Sequence, residues 1–240
     1  IRDSSNEGKV TRPKKGAADE EVTLKGTVKM GDYAKARNFT FVVLAESEMG
    51  PTKEFALDQV ELLDDYYLTA QNSDIEFLKK FDNDRLLSRF RETAGLDTKK
   101  IAPYGGWEDG WLGGHSVGHY LTAIAQAVKA TGNADLKEKS KQLIEGLAEC
   151  QNKLGTGFIF GAKIETEGYV EKQFDILEGK TTGKTWVPWY NMHKMLTGLV
   201  DTYKYTGNKQ ALEVAKKLGD WIYNRVSKWD AGTPVSYTHL

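Results

Sequence analysis

The residues best suited to chemistry fall in two stretches. The first reads Pro103-Tyr104-Gly105-Gly106-Trp107-Glu108-Asp109-Gly110-Trp111-Leu112-Gly113-Gly114 and leads into His115-Ser116-Val117-Gly118-His119-Tyr120. Its glycines let backbone approach a ligand closely, its indoles offer stacking faces, and Glu108 and Asp109 can accept hydrogen bonds from sugar hydroxyls. The competing reading is a Gly-rich turn whose Trp residues plug one end of a helical body. His115 and His119 stand four positions apart and could share a helix face as zinc ligands do, but no HExxH pattern accompanies them. Hydrogen bonding of one of them to a sugar suits the stretch better. The second stretch, Trp186-Val187-Pro188-Trp189-Tyr190-Asn191-Met192-His193, puts His193 beside aromatic residues where a helix is expected to begin; a capped or core histidine is its alternative. Paired carboxylates for glycosidic cleavage could be drawn from Glu108, Asp109, Glu165 and Glu167, although all four equally suit solvated roles.

Composition narrows the field. The 240 residues carry 33 Lys+Arg against 34 Asp+Glu, a formal net charge of −1, which offers no electrostatic footprint for nucleic acid. No apolar run approaches the ~20 residues of a membrane-spanning helix. Cys150 is the sole cysteine, so neither an internal disulfide nor a complete cysteine–zinc site is available from this sequence. Aromatic residues make up 11%, and Trp and Tyr suit ligands with both apolar faces and hydroxyls. The chain starts at Ile1 without a signal-peptide pattern, so a signal peptide is expected to be absent or to lie upstream. Val235-Ser236-Tyr237-Thr238-His239-Leu240 matches a translation of the transposase end used in sequencing libraries. Residues 235–240, His239 included, are accordingly set aside, and the chain is expected to be a fragment truncated at both ends.

The elements that must position these residues follow from periodicity. Residues 1–21 are polar and without helical period. Val22, Leu24 and Val28 then alternate with Thr23, Lys25, Thr27 and Lys29; Gly31-Asp32 marks a turn; and Phe39, Phe41 and Val43 alternate with Thr40 and Val42, as in a β-hairpin of a sandwich. After Gly50-Pro51 the period becomes helical, with Val60, Leu63, Tyr67 and Ala70, then Phe77 to Phe90 before Gly95. His119–Ala130 with Lys137–Leu147 make one helical pair, and His193–Tyr205 with Gln210–Val226 make another. Thr131-Gly132-Asn133 and Thr206-Gly207-Asn208 lie 75 residues apart, and the same offset pairs Leu121 with Leu196, Ile124 with Leu199 and Leu147 with Ile222. In each junction Gly can end one helix and Asn can cap the next. Repeated αα-hairpins must stack to bury their apolar faces, and a period this long fits an α/α-toroid whose long loops, residues 95–114 and 152–187, gather at one end.

Two resemblances sharpen this. Gly8-Lys9-Val10-Thr11-Arg12-Pro13, Val22-Thr23-Leu24-Lys25-Gly26-Thr27-Val28 and Phe39-Thr40-Phe41-Val42-Val43 together resemble the second half of an atrophied bacterial immunoglobulin-like domain, a module of large secreted or surface-attached bacterial proteins. Further on stand Phe55-Ala56-Leu57, Val60-Glu61-Leu62-Leu63, Asp84-Arg85-Leu86-Leu87, Tyr104-Gly105-Gly106-Trp107-Glu108, Gly114-His115-Ser116-Val117-Gly118-His119-Tyr120-Leu121, and Met192-His193-Lys194 followed by Tyr205-Thr206-Gly207-Asn208. In this order they resemble the N-terminal part of glycoside hydrolase family 127, the β-L-arabinofuranosidases. The resemblance implies a mainly α chain holding a partial (α/α)6 toroid of helical hairpins after a small N-terminal β remnant. It also implies cleavage by a zinc-ligating cysteine nucleophile with a Glu near it. Cys150, at a helix end, does not match that cysteine cluster, which belongs downstream of residue 234. Zinc is thus expected in the full-length parent and not in this fragment, and the fragment is expected to be inactive. Substrate binding carries over: His193 matches a sugar-contacting His of the family, and His119 and Trp107 are further pocket candidates.

The expected organisation is a partial immunoglobulin-like domain over 1–46, a linker over 47–53 and the toroid part over 54–234. The expected substrate is an arabinose-containing plant glycan, met outside the bacterial cell or at its surface, with no nucleic-acid partner and no membrane span. Two alternatives stay open. One is another α/α-toroid carbohydrate enzyme, such as a lyase, epimerase or unsaturated-uronide hydrolase; the other is a non-catalytic surface glycan-binding protein.

Overall fold

The computed structural model describes residues 11–30, 33–46, 54–162 and 169–229. The expected turn at Gly31-Asp32, the linker 47–53, Glu165, Glu167 and residues 235–240 lie outside the described residues. The chain divides into two compact units, Ile1–Phe55 and Ala56–Leu240.

In the first unit β1 (Glu20–Met30) pairs antiparallel with β2 (Tyr33–Val43). The register sets Val22 against Phe41 and Leu24 against Phe39, so alternate residues place the apolar side chains on one face. Thr23 faces Thr40 on the other face, their hydroxyls 3.2 Å apart. The segment before β1 is tied to the end of β2: Arg12 donates to the Leu44 and Ala45 carbonyls, and the Ala45 N–H donates to Asp19.

The second unit is helical: α1 (Asp65–Lys79), α2 (Asn83–Thr93), α3 (His115–Thr131), α4 (Ala134–Leu154), α5 (Lys172–Leu177), α6 (Pro188–Thr206) and α7 (Lys209–Val226). Two helix starts differ from the apolar period. Asp64 caps α1 by accepting from the Tyr66 N–H, which leaves Val60 and Leu63 before the helix and exposed. Asp82 accepts from the Asp84 and Arg85 N–H groups and separates α1 from α2 within a continuous apolar pattern. The stretch 152–187 is also not all loop, since α5 lies within it.

The repeat is visible in atomic detail. Gly132 and Gly207 end α3 and α6 in the left-handed region, at φ 69° and 73°. Asn133 then accepts from Leu136 N–H and Asn208 from Ala211 N–H, capping α4 and α7. Thr131 and Thr206 each donate to the carbonyl four residues back and each receive the N–H of the following Asn. The closest interface joins α3 to α6. Thr122 bonds Asp201, Gly118 packs on Lys194 and Gly198, and the His115 ring faces Tyr190. Residue numbers rise together along both helices, so α3 and α6 run parallel with their N-termini at one end, as the inner helices of an α/α-toroid do. Leu121, Ile124, Leu143, Ile144, Leu147 and Leu199 fill the layer between the hairpins, and Phe158, Phe160, Phe174 and Trp221 extend the core beneath α5.

Candidate functional site

The two stretches singled out by sequence meet where α3 and α6 begin. Asn191, buried on α6, donates through Nδ2 to the Trp111 carbonyl at 3.0 Å and so pins the first loop to the start of the second repeat. A cavity of about 370 Å³ opens there, lined by Trp107, Leu112, His115, Trp186, Val187 and Tyr190, a size that suits a small ligand. The Trp107 and Trp186 rings lie nearly parallel, 6.4 Å between centroids. They remain 68% and 53% exposed, so they are walls open to solvent and not plugs. A second cavity shares Trp107, Leu112 and Trp186 and adds Gly106, Gly110 and Trp111. Trp189 turns away into the core against Phe174 and Trp221.

Glu108 does not serve the role first suggested for it. It sits on a single 3-10 turn, Gly106–Asp109, and is only 8% exposed. Its Oε2 accepts the Gly114 N–H at 2.6 Å and its Oε1 accepts the Ser116 N–H at 3.2 Å. Gly114 is the N-cap of α3 and has no side chain to give, so Glu108 caps the helix from six residues upstream. Burial pushes its pKa up, but hydrogen bonds from His115, Ser116 and Gly114 outweigh this and hold it below the usual carboxylate range. Asp109 is exposed and paired with Arg89.

His115 completes the arrangement. Its Nδ1 lies 2.6 Å from the Leu112 carbonyl and 3.1 Å from Glu108 Oε1. The Glu108 contact raises the ring's pKa; partial burial opposes it, and the Leu112 carbonyl adds to the rise. His119 stands one turn on, ring centroids 5.9 Å apart and edge to face. Partial desolvation lowers its pKa, with further lowering from Lys194 and from the neighbouring His115 and His193. The two histidines therefore share a face, as their spacing suggested, with proton affinities pushed in opposite directions.

The three proposed sugar contacts are placed unequally. Trp107 lines the cavity; His119 and His193 are exposed and outside its lining, with His193 near enough to act on His119 electrostatically. Because Pro188 opens α6, His193 sits on the second turn and not the first. Sequence reasoning does not reach the Glu108–His115 pair, or Lys194, whose ammonium lies 4.9 Å above the Tyr190 ring. Part of the glycine signal is also structural: a Cβ at Gly113 or Gly114 would crowd Gly161, and at Gly114 the Phe90 ring as well.

The cysteine–zinc centre implied by the resemblance does not fit the described donor set. Cys150 is 1% exposed in α4 with its thiol pushed up to about 12 by burial, and no three described His, Cys, Asp or Glu side chains are grouped to hold a metal.

The parallel packing of α3 and α6 and the repeated hairpin junctions are those of part of an α/α-toroid, with an aromatic cavity at the N-terminal end of the two helices. A family model described as the β-L-arabinofuranosidase, GH127 catalytic domain matches residues 59–235, and the chain belongs to that family of glycoside hydrolases. An atrophied bacterial Ig domain model matches residues 3–46. No curated protein matches the chain.

Proposed function

We propose that this chain carries part of the sugar site of a secreted or surface-attached bacterial glycosidase that removes β-L-arabinofuranosyl groups from plant glycans. The cavity between Trp107, Trp186 and Tyr190 carries this reading, because indole and phenol faces pack on the C–H face of a sugar while His115 meets its hydroxyls. His119, His193 and Lys194 extend the polar side of the same end. Family membership supplies the reaction class. The nucleophile and its zinc are assigned to residues outside 1–234, since Cys150 is buried in α4 with its thiol pushed up by desolvation. The immunoglobulin-like match supports an extracellular setting.

The buried cysteine also favours a second reading, a glycan-binding protein without catalysis. Saturation-transfer NMR of the purified chain with methyl β-L-arabinofuranoside tests the first. Binding that is lost in Trp107→Ala, without release of arabinose, is expected. Preference for an unsaturated uronide would move the protein to another toroid enzyme class, absence of any sugar binding would remove the site, and zinc-dependent release of arabinose would show that the nucleophile lies within this chain.

A further inference from the structure

The Glu108–His115 pair joins a buried carboxylate to a ring that lines the cavity. A backbone carbonyl and a carboxylate are both acceptors, so the His115 Nδ1 that faces Leu112 O and Glu108 Oε1 carries hydrogen. This fixes the neutral tautomer by geometry and leaves Nε2 as the ring nitrogen without a protein partner among the described residues. The ring itself lines the aromatic cavity. Glu108 in turn is held by two backbone N–H groups at the start of α3, so neither oxygen is free to swing toward a ligand.

We propose that Glu108 is a positioning residue that locks the His115 imidazole with Nε2 presented to a hydroxyl or ring oxygen of the sugar bound between Trp107, Trp186 and Tyr190. The buried carboxylate does for the ring what an outer partner does for a metal-bound or catalytic histidine: it sets orientation, tautomer and proton affinity together. The charged groups that bear on the ring are Glu108 from the loop and Lys194 from α6, with His119 beside it on α3. Only Glu108 is anionic, so its neutralisation removes the largest contact that retains the ring's proton and leaves the Leu112 carbonyl as the remaining acceptor. The ligand half of this proposal rests on the sugar-site reading above; the Glu108–His115 half does not.

The test is imidazole ¹⁵N NMR of the intact chain, wild type and Glu108→Gln, with and without methyl β-L-arabinofuranoside. Wild type should show His115 protonated at Nδ1 when neutral, and its Nε2 resonance should move on adding the sugar. In Glu108→Gln the His115 pKa should fall by about one unit or more, and sugar affinity should drop about five- to tenfold, while the His119 and His193 resonances keep their native dispersion. A folded Glu108→Gln protein with an unchanged His115 pKa overturns the proposal. So does sugar binding that leaves the wild-type Nε2 resonance unmoved, a result that needs no variant and decides the matter if Glu108→Gln does not fold. If no sugar binds at all, the sugar-site reading fails while the His115 tautomer and pKa still judge the role of Glu108.

Discussion

Gly118 of α3 rests directly on the backbone of Lys194 in α6, so that a Cβ at Gly118 would overlap the Lys194 carbonyl; Gly198 meets the Gly118 carbonyl from the other side. Two helices can approach this closely only where both lack side chains. The approach brings the starts of α3 and α6 together, and with them His115, Tyr190 and the aromatic cavity.

Gly118→Ala should therefore destabilise the fold by about 1–3 kcal/mol, because rigid backbone must shift to admit the methyl group. Gly219, in α7, has open space around its would-be Cβ. Gly219→Ala should stabilise by about 0.5–1 kcal/mol through helix propensity alone. Urea unfolding of the two variants checks both signs, and a Gly118→Ala protein as stable as Gly219→Ala would show that the α3–α6 contact is not tight.

The hairpin junctions give a matched pair of tests. Asn133→Ala and Asn208→Ala each remove a side-chain cap from a helix start and should each cost about 0.5–2 kcal/mol. Since Thr-Gly-Asn recurs with the same hydrogen bonds at both junctions, the two costs should agree within about 0.5 kcal/mol. Denaturation midpoints decide this.

These junctions were legible in sequence because Thr, Gly and Asn act on their own backbone within a few residues. The β-hairpin and the αα pairs were legible for the same reason: periods of two and of three to four are local. The division between α1 and α2 carried a local signal too, Asp82 before Asn83-Asp84-Arg85, but continuous apolar spacing from Phe77 to Phe90 masked it. The capping of α3 by Glu108 could not be read. It depends on a loop that turns back over Gly161 and Phe90, which only the packed tertiary structure fixes. The same loop decides that Glu108 is buried and Trp107 exposed, reversing the roles their side-chain chemistry alone suggests.

Stability should depend on pH through the Glu108–His115 pair. The folded pKa of His115 is raised above its ordinary 6.5, so its contribution is full below that value and fades as pH rises through the folded pKa. That of Glu108 is lowered from 4.5, so its contribution is present above that value and fades as pH falls through the folded pKa. The stability gap between wild type and His115→Gln should be widest between about pH 5 and 6.5 and should narrow on both sides. Urea midpoints at pH 3, 6 and 9 check it; a gap independent of pH would mean the pair contributes through packing alone.

Cys150 should behave as a core residue. With its thiol buried and pushed up to about 12, it should react with a disulfide reagent only when the chain unfolds. Native-state labelling should be slower than labelling in denaturant by a factor on the order of 1000 or more, following the population of open states. Rapid labelling of the folded protein would return Cys150 to consideration as a nucleophile.

His193 and Trp107 give separate tests of the proposed sugar site. Both side chains are exposed, so neither substitution by Ala should change stability by more than about 0.5 kcal/mol. Their effects on ligand should differ. Trp107 lines the cavity and supplies a stacking face, and its loss should abolish measurable binding of methyl β-L-arabinofuranoside. His193 lies outside the lining, within electrostatic reach of His119. Its loss should weaken binding modestly here, and in an enzyme containing the nucleophile should lower kcat/KM by ~10- to 1000-fold through lost polar contacts in the transition state. Zinc content should not change with either variant. Unchanged kinetics in His193→Ala would place this residue outside the site and leave His115 as its principal imidazole, whereas lost zinc would mark His193 as a metal ligand.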